Sequence, residues 1–207
     1  PFSRQIPLFF ARLWCRMWLG TAGIRLSVSG TEALDRSRRY VFVCNHQSSI
    51  DIPMLYVALP FRLSFIAKKE LLLLPFFGWG TAALGHIYID RRNPRRALRS
   101  IDRALHKLSR GGSSLVVFPE GTRSVDGAVA AFKTGSFRLA IEAGVELVPV
   151  AIADSRFVMP KKSLVVRPGT VHLAVGRPIA VEGLSKGDKA ALAEQVRDVV
   201  AGMVAGT

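Results

Sequence analysis

The first residues whose types could do chemistry lie in the stretch VCNHQSSIDIP, residues 43–53. A short apolar run ends at Cys44, and His46 and Asp51 follow it, five residues apart. If the chain passes here from a strand into a turn and a helix, the Asp51 carboxylate can reach Nδ1 of the His46 imidazole and leave Nε2 free to take a proton. The pair fits a general base with its orienting carboxylate. Taken alone, however, such a pair is more often structural, with Asp51 capping a helix.

The sequence near this pair indicates no protein nucleophile. Ser48 and Ser49 are close, but the Gly-x-Ser-x-Gly elbow of serine hydrolases is absent. Cys44 closes an apolar run and is interpreted as a core residue rather than as a partner of His46. The remaining interpretation is that the nucleophile belongs to the substrate, as a hydroxyl group that His46 activates.

A second polar cluster is FPEGTRS, residues 118–124, which follows a predicted strand. A turn at Gly121 would expose backbone N–H groups beside the Thr122 hydroxyl and the Arg123 guanidinium, a combination that suits a phosphate. Glu120 would repel a phosphate unless it accepts a hydrogen bond from a substrate hydroxyl or holds an arginine. The simpler interpretation is a polar turn in which Glu120 pairs with Arg123.

Three further cations precede or follow predicted elements. Arg91 lies at the end of the strand in GHIYIDRR, where open sheets place their ligands. Lys133 lies just before a predicted helix, whose N-terminus also attracts anions. Each of these, like Lys68, has an alternative interpretation as an ordinary solvated or capping residue.

Composition restricts the function classes. The 207 residues are 49% hydrophobic, which excludes disorder for the chain as a whole. The net charge of +14 points to an anionic partner, which could be nucleic acid, an anionic membrane or a phosphorylated small molecule. Two cysteines in apolar surroundings do not form a disulfide scaffold.

The N-terminal segment, residues 1–22, is rich in Phe, Leu and Trp, but arginines interrupt it, so we do not expect it to span a bilayer. Arg12 and Arg16 are four residues apart and share one helical face. The opposite face carries an apolar stripe formed by Phe9, Phe10, Leu13, Trp14, Met17 and Trp18. This pattern fits equally an interfacial helix, with its arginines at the lipid headgroups, and a helix packed on the protein's own core. The uncharged stretch 71–89 contains a proline and several glycines, so we do not expect it to form a single spanning helix.

The order of the elements predicts the fold class. We expect strands at residues 25–30, 39–45, 62–68, 86–90, 113–118 and 146–152, with a hairpin within residues 163–176. We expect helices at residues 51–58, 94–110, 134–143 and 186–205, and a broken helix at 69–83. Alternating strands and helices predict an α/β fold whose sheet is mixed but mostly parallel and is flanked by helices. An amphipathic docking segment, residues 1–22, would precede a single domain, residues 23–207.

Four blocks in this order carry a resemblance to a known family. They are N-H-x-x-x-x-D, G-x-x-x-I-D-R, F-P-E-G-T-R-S and V-P-V, at Asn45–Asp51, Gly85–Arg91, Phe118–Ser124 and Val148–Val150. The chain resembles the glycerolipid acyltransferases, and within them the lysophosphatidic acid (1-acylglycerol-3-phosphate) acyltransferases. AFKTG, residues 131–135, is similar to the family's basic stretch after its third block. The order and separation of all four blocks make the match specific.

The resemblance implies direct acyl transfer without a covalent acyl-enzyme. His46 would deprotonate the free hydroxyl of a lysophospholipid while Asp51 orients the ring, and backbone amides near the blocks would stabilise the oxyanion. The resemblance also implies which residues bind the acceptor headgroup and its phosphate: Arg91, Glu120, Gly121, Thr122 and Arg123, supported by Lys68 and Lys133.

The resemblance also sets expectations for partners. The acyl donor would be acyl-acyl-carrier protein (acyl-ACP) or acyl-CoA, with no cofactor and no metal. The basic charge would then serve an anionic membrane surface rather than nucleic acid, because the aromatic residues cluster in apolar segments. The enzyme would sit at the cytoplasmic face of the cell membrane as a peripheral or monotopic protein. Alternatives are another lyso-lipid acceptor, such as lyso-ornithine lipid, and a non-catalytic membrane-binding relative.

Overall fold

A central β-sheet is enclosed between two layers of helices. The computed structural model describes residues 5–68, 70, 72, 80, 82–89, 104–106, 108 and 112–207, with the backbone alone at residues 5, 68 and 89. Within these residues the sheet has seven strands. One apolar cluster packs between the sheet and the first two helices, and a second lies on the opposite face of the sheet.

The elements have the following bounds. The strands are β1 (Ile24–Ser29), β2 (Val41–Cys44), β3 (Leu63–Lys68), β4 (Ile87–Ile89), β5 (Ser114–Val117), β6 (Leu147–Ala153) and β7 (Gly169–Val175). The α-helices are α1 (Gln5–Thr21), α2 (Asp51–Ala58), α3 (Gly135–Ala143), α4 (Ser155–Val158) and α5 (Lys189–Ala205), with 3-10 turns at Thr31–Ala33 and Lys186–Asp188.

The sheet is mixed but mostly parallel, which confirms the predicted fold class. Its strand order is β1-β7-β6-β2-β5-β3-β4. The five strands from β6 to β4 run in one direction. β7 pairs with β6 in the antiparallel sense and with β1 in the parallel sense. The N-terminal ends of β1 and β7 therefore lie at the same edge of the sheet as the carboxyl ends of β2, β5 and β6.

Strand β2 is covered by other elements on both faces of the sheet. All four of its residues are buried. Val41 and Val43 point into the cluster that contains α3 and α5, whereas Phe42 and Cys44 point into the cluster beneath α1 and α2. A strand covered on both faces reads as a continuous apolar run, as strands of parallel sheets do.

Helix α1 is anchored to α2 by its first described arginine. Arg12 donates from Nε to the Tyr56 carbonyl at 3.2 Å, and from Nη2 to the carbonyls of Leu59 and Phe61 at 2.9 and 2.7 Å. Those carbonyls lie at and just beyond the C-terminal end of α2, where helices leave acceptors unpaired and favour cations. For Arg12 the structure therefore agrees with the interpretation of a helix packed on the protein rather than with a position at lipid headgroups, whereas Arg16 is exposed.

Helix α1 has one face packed on the core and one face exposed to solvent. Cys15 and Leu19 are buried in the core, and Trp18 is half-buried against it. The rest of the predicted stripe is exposed to solvent: Phe9, Phe10, Leu13, Trp14 and Met17. Within the part of the chain that the structure describes, no helix is both long and apolar enough to cross a bilayer.

The predicted hairpin around Pro168 is wrong. Residues 163–168 form no strand, and β7 begins only at Gly169. Leu164 and Val165, which looked like one arm of the hairpin, face solvent, and Arg167 N–H donates to the Val158 carbonyl at 2.8 Å. The sheet is mixed because β7 pairs antiparallel with β6.

The other predicted elements agree closely where they are described. Helix α2 has the predicted bounds, and β3, β5, α3 and β6 begin or end within one residue of prediction. The predicted helix 94–110 and the predicted broken helix 69–83 lie mostly outside the described residues. Of the former, residues 104–106 and 108 are described and helical.

Candidate active site

The polar blocks meet at one edge of the sheet. β2 and β5 are parallel neighbours with Val43 beside Val117, so the segments that follow them leave the sheet side by side. β6 flanks β2 on its other side. The carboxyl edge of a parallel sheet is where open α/β folds bind their ligands.

Asn45 fixes the first block to β6. Its Nδ2 donates to the Ile152 carbonyl at 2.8 Å, and its Oδ1 accepts from Ile152 N–H at 2.7 Å. The buried side-chain amide of Asn45 thus continues the hydrogen bonding between β2 and β6 at the point where β2 ends. This pair of hydrogen bonds positions the backbone immediately before His46.

His46 and Asp51 form the predicted pair. His46 Nδ1 lies 2.8 Å from Asp51 Oδ2, and the Asp51 side chain is buried while the imidazole is 17% exposed. An ionised carboxylate can only accept, so the contact makes Nδ1 the protonated nitrogen and leaves Nε2 with a lone pair. The arrangement provides an oriented proton acceptor with limited access to solvent.

The turn between the two residues wraps around the same carboxylate oxygen. Asp51 Oδ2 also accepts from Gln47 N–H at 2.8 Å and from Ser48 N–H at 2.9 Å. Because Asp51 begins α2, its charge is also favoured by the helix N-terminus. Asp51 does not cap α2, because the N-cap position is Ile50 and no side chain caps the helix. Of the two interpretations offered from sequence, the contact with His46 is the one observed.

The second polar block holds His46 from the other side. His46 N–H donates to Glu120 Oε1 at 2.8 Å, and the His46 carbonyl accepts from Ser124 N–H at 2.7 Å. The Phe118 ring stacks on the imidazole, with the ring centroids 4.0 Å apart and the planes 20° apart. The ring and its backbone are thus held by contacts from both blocks.

Glu120 is buried at the base of this arrangement. Its other oxygen, Oε2, accepts from Ala130 N–H at 3.3 Å. Burial raises the pKa of Glu120, while the backbone N–H groups of His46 and Ala130 act in the opposite direction. Its contacts with backbone N–H groups give Glu120 a positioning role for His46. Its predicted contact with the acceptor headgroup stays a prediction.

Gly121 and Lys133 come together at the turn. Gly121 has φ +74°, and a Cβ there would lie 2.7 Å from Lys133 Nζ. Lys133 N–H donates to the Pro119 carbonyl at 3.0 Å, so the lysine backbone is fixed to the same turn. The glycine therefore allows the ammonium group to lie directly over the turn.

Arg123 lies on the side of the turn that faces the first block. Its Nη1 donates to Ser49 Oγ at 2.6 Å, and its carbonyl accepts from Lys161 Nζ at 2.6 Å. Arg123 thus contacts Ser49 rather than the predicted alternative partner, Glu120. Thr122, next to Arg123, is exposed. The basic groups gathered at the turn could attract a phosphate.

The protein groups considered as nucleophiles are engaged elsewhere. Ser48 Oγ donates to the Met159 carbonyl at 2.7 Å. Cys44 is buried, and burial, together with the charge of Asp51, raises the pKa of its thiol well above the usual range. A thiolate at Cys44 is therefore disfavoured, as the core interpretation predicted.

Two predicted binding residues are described only partly or not at all. β3 ends at Lys68, whose backbone pairs in register with Ile89, so Lys68 reaches the carboxyl edge of the sheet. Arg91 lies outside the described residues.

Sequence reasoning missed two contributors to the site. In the sequence Phe118 is the last residue of an apolar run and is predicted to end a strand. Its stacking on His46 depends on the pairing of β2 with β5, which the sequence does not give. Lys161 lies 38 residues after Arg123, and the only signal for it was its position after β6, whose carboxyl end lies at the same edge.

Comparison with known proteins identifies the family. The family model described as "Acyltransferase" matches residues 25–153. The chain belongs to the acyltransferase family. The matched region contains His46, Asp51 and the turn at residues 118–124, and so covers the whole constellation built around the imidazole.

Named relatives cover most of this acyltransferase chain. It is 34% identical to the 1-acyl-sn-glycerol-3-phosphate acyltransferase of Saccharomyces cerevisiae over 85% of its length, and 37% identical to the human alpha enzyme over 84%. It spans 58% and 62% of those two proteins, respectively. The crystal structure of the 1-acyl-sn-glycerophosphate (LPA) acyltransferase PlsC from Thermotoga maritima superposes with a TM-score of 0.87 at 32% identity, over 98% of this chain and 80% of that one.

Proposed function

We propose that this chain transfers a fatty acyl group from acyl-ACP or acyl-CoA to the free hydroxyl of 1-acylglycerol-3-phosphate, giving phosphatidic acid. The observation that carries the proposal is the 2.8 Å contact between His46 Nδ1 and Asp51 Oδ2 beside a basic turn. The names of the relatives, which are acyltransferases acting on this lysophospholipid, support the choice of acceptor.

The chemistry follows from the free nitrogen of the imidazole. Nε2 of His46 removes the proton of the acceptor hydroxyl as its oxygen forms a bond to the thioester carbonyl carbon. The tetrahedral intermediate collapses by breaking the carbon–sulfur bond. The departing thiolate takes up the proton held by the imidazolium, which returns His46 to its neutral form. Asp51 stabilises the transient positive charge on the ring throughout.

The basic turn binds the acceptor phosphate in this proposal. Arg123 offers a planar fork of donors, and Lys133 offers a point charge that lies over Gly121 in the same turn. Thr122 adds a hydroxyl, and Lys68 and Arg91 complete the headgroup site. A phosphate held there would bring the glycerol hydroxyl of the same molecule towards His46.

The reaction takes place at an anionic membrane surface in this proposal, on its cytoplasmic face. The exposed side of α1 carries Phe9, Phe10 and Trp14, which suit the boundary between headgroups and acyl chains. The net charge of +14 favours association with anionic lipids. A lipid acceptor would then reach the site from the bilayer.

A purified-protein assay tests the reaction and the acceptor together. The protein is incubated with labelled acyl-ACP or acyl-CoA and with one of four acceptors: 1-acylglycerol-3-phosphate, lysophosphatidylglycerol, lyso-ornithine lipid or glycerol 3-phosphate. Lipid products are separated and identified by mass. We expect phosphatidic acid from the first acceptor at the highest kcat/KM. Preference for a different lyso-lipid would overturn the choice of acceptor, and no transfer to any of them would overturn the enzymatic proposal.

A further inference from the structure

The segment of residues 156–167 combines exposed apolar side chains with positive charge. Leu164 is 92% exposed, Val165 62% and Phe157 57%. Single exposed apolar residues are ordinary, but several within one short segment mark an interaction surface. A fourth, Val125, is 74% exposed, and its turn touches this segment because Gly127 lies against the Arg156 guanidinium.

The same segment has four cations and no acid: Arg156, Lys161, Lys162 and Arg167. The Arg156 guanidinium lies 4.1 Å from the centroid of the Phe157 ring, so an apolar and a charged group are presented together. Aliphatic tips flanked by cations suit a surface with anionic headgroups above an apolar layer.

The segment is fastened to both polar blocks of the candidate active site. Ser48, two residues after His46, donates from Oγ to the Met159 carbonyl at 2.7 Å. Lys161 Nζ donates to the Arg123 carbonyl at 2.6 Å. Whatever surface receives Leu164 and Val165 therefore lies beside the turn that holds His46.

We propose that residues 156–167 form a second membrane contact, in which Leu164 and Val165 enter an anionic lipid surface beside the turn that holds His46. The identity of the lipid that passes from this surface to the site rests on the proposed function. The membrane contact itself does not, because it follows from exposure, charge and position.

The C-terminal end of helix α1 and this segment lie at a common edge of the fold. α1 ends at Thr21, just before β1, and β1 and β7 both begin at the carboxyl edge of β6. Met159 and Val166 of the segment pack against the same apolar cluster as Trp18 and Ala22. The segment therefore lies near the C-terminal end of α1, whereas Arg12, bound to the Leu59 and Phe61 carbonyls just before β3, lies towards the opposite edge of the sheet.

An anionic bilayer fits this surface better than an acidic carrier protein does. An acidic protein face would pair with the four cations but would leave the aliphatic tips of Leu164 and Val165 without an apolar partner. A bilayer supplies both layers at once, since headgroup charge and acyl chains are separated along its normal.

Site-specific labelling tests the proposal directly. Leu164→Cys is labelled with an environment-sensitive fluorophore, and the two native cysteines, Cys15 and Cys44, are buried and leave the new thiol as the reactive one. With phosphatidylglycerol vesicles we expect a blue shift and quenching by spin-labelled lipid. Val199→Cys on α5, 39% exposed, is the matched control and should show neither.

A label at Phe9→Cys on α1 separates the possible outcomes. If position 9 is quenched and position 164 is not, α1 alone docks and the second contact is wrong. If position 164 responds to holo-acyl-carrier protein in solution but not to vesicles, the partner is a protein and the proposal is again wrong. Quenching at position 164 in a protein that transfers no acyl group would keep this proposal and overturn the proposed function.

A paired substitution gives a second, label-free test. Leu164→Ser with Val165→Ser should weaken partitioning into phosphatidylglycerol vesicles by about tenfold or more, because two aliphatic side chains no longer enter the apolar layer. The thermal midpoint should hold, since both side chains are already in water in the free protein. Unchanged partitioning at an unchanged thermal midpoint would contradict the proposal.

Discussion

The His46 imidazole is constrained from several directions before any substrate arrives. Asp51 holds Nδ1, Phe118 covers one ring face, and Glu120 and Ser124 bind the backbone N–H and carbonyl. Each contact restricts a motion of the ring or its backbone, and the entropy of that motion would otherwise have to be lost during the reaction. The only ring nitrogen left for a substrate is Nε2.

Replacing His46, the proposed general base, should remove most of the turnover. His46→Ala should lower kcat by about 10²–10⁴-fold, the usual contribution of a positioned general base. Asp51→Asn should also lower kcat, because the amide no longer fixes the tautomer that leaves Nε2 unprotonated. Single-turnover acyl transfer measures both. His106→Ala, at an exposed histidine, is the matched control, and near-normal transfer by His46→Ala would exclude His46 as the base.

Glu120→Gln should separate a positioning role from a headgroup-binding role. A hydrogen bond to a charged group contributes about 1.5–3 kcal/mol, so roughly a tenfold fall in kcat is expected when the hold on His46 N–H weakens. The KM for the acceptor should change little. Steady-state kinetics over a range of acceptor concentrations give both constants. A raised KM with an unchanged kcat would instead assign Glu120 to the headgroup.

The raised pKa of Glu120 also predicts how stability depends on pH. Burial favours the protonated carboxyl in the folded state, so the folded protein holds this proton to higher pH than the unfolded chain does. The stability that Glu120 contributes is therefore full below its unfolded pKa and is lost as pH rises through its folded pKa.

Urea unfolding of wild type and Glu120→Gln between about pH 4 and about pH 7 measures this dependence, since that range starts near the ordinary glutamate pKa. The free energy of unfolding of wild type, minus that of the variant, should fall as pH rises, because glutamine does not titrate. A difference that stays constant or grows with pH would mean that folding does not raise the pKa of Glu120.

The central pair was predictable from sequence, whereas its supports were not. His46 and Asp51 are five residues apart, so a local turn decides their contact. Glu120 is 74 residues from His46, and its contact with His46 N–H depends on the pairing of β2 with β5. A single sequence places such residues at the same edge of a sheet but does not give their partners.

At the scale of elements, sequence periodicity identified helices better than it identified the faces they bury. The pattern of α1 placed Arg12 and Arg16 on one polar face, but only Arg16 is exposed. Arg12 turns to the carbonyls that α2 leaves unpaired, which no spacing within α1 could reveal. The hairpin predicted around Pro168 was wrong for a related reason. The aliphatic residues at 164 and 165 look like buried strand residues in the sequence, but they are exposed.

Arg12 should therefore act as a link between α1 and α2. Arg12→Ala should lower the free energy of unfolding by about 2 kcal/mol, because three carbonyls lose a charged donor. Arg16→Ala is the matched control on the same helix and should change it by no more than about 0.5 kcal/mol. Urea denaturation measures both. Equal effects of the two substitutions would contradict an anchoring role for Arg12.

At the scale of the whole molecule, charge and exposed apolar surface both favour the proposed partner, an anionic bilayer. The net charge is +14, and the exposed aromatic residues of α1 lie on the side away from the sheet. Charge brings such a protein to an anionic bilayer over a range set by salt, whereas apolar insertion acts only on contact and is far less sensitive to salt. The two contributions can therefore be measured separately.

Vesicle sedimentation at increasing NaCl separates them. The triple change Phe9→Ser, Phe10→Ser and Trp14→Ser should weaken binding to phosphatidylglycerol vesicles by roughly 10²-fold, since three large apolar side chains no longer insert. The double change Val28→Ser and Val199→Ser, at exposed valines on other elements, should have little effect. Binding of wild type should decrease with salt and persist in part at high salt, whereas the triple variant should keep a much smaller salt-resistant part. If the triple variant binds as wild type does at every salt concentration, α1 is not the docking helix.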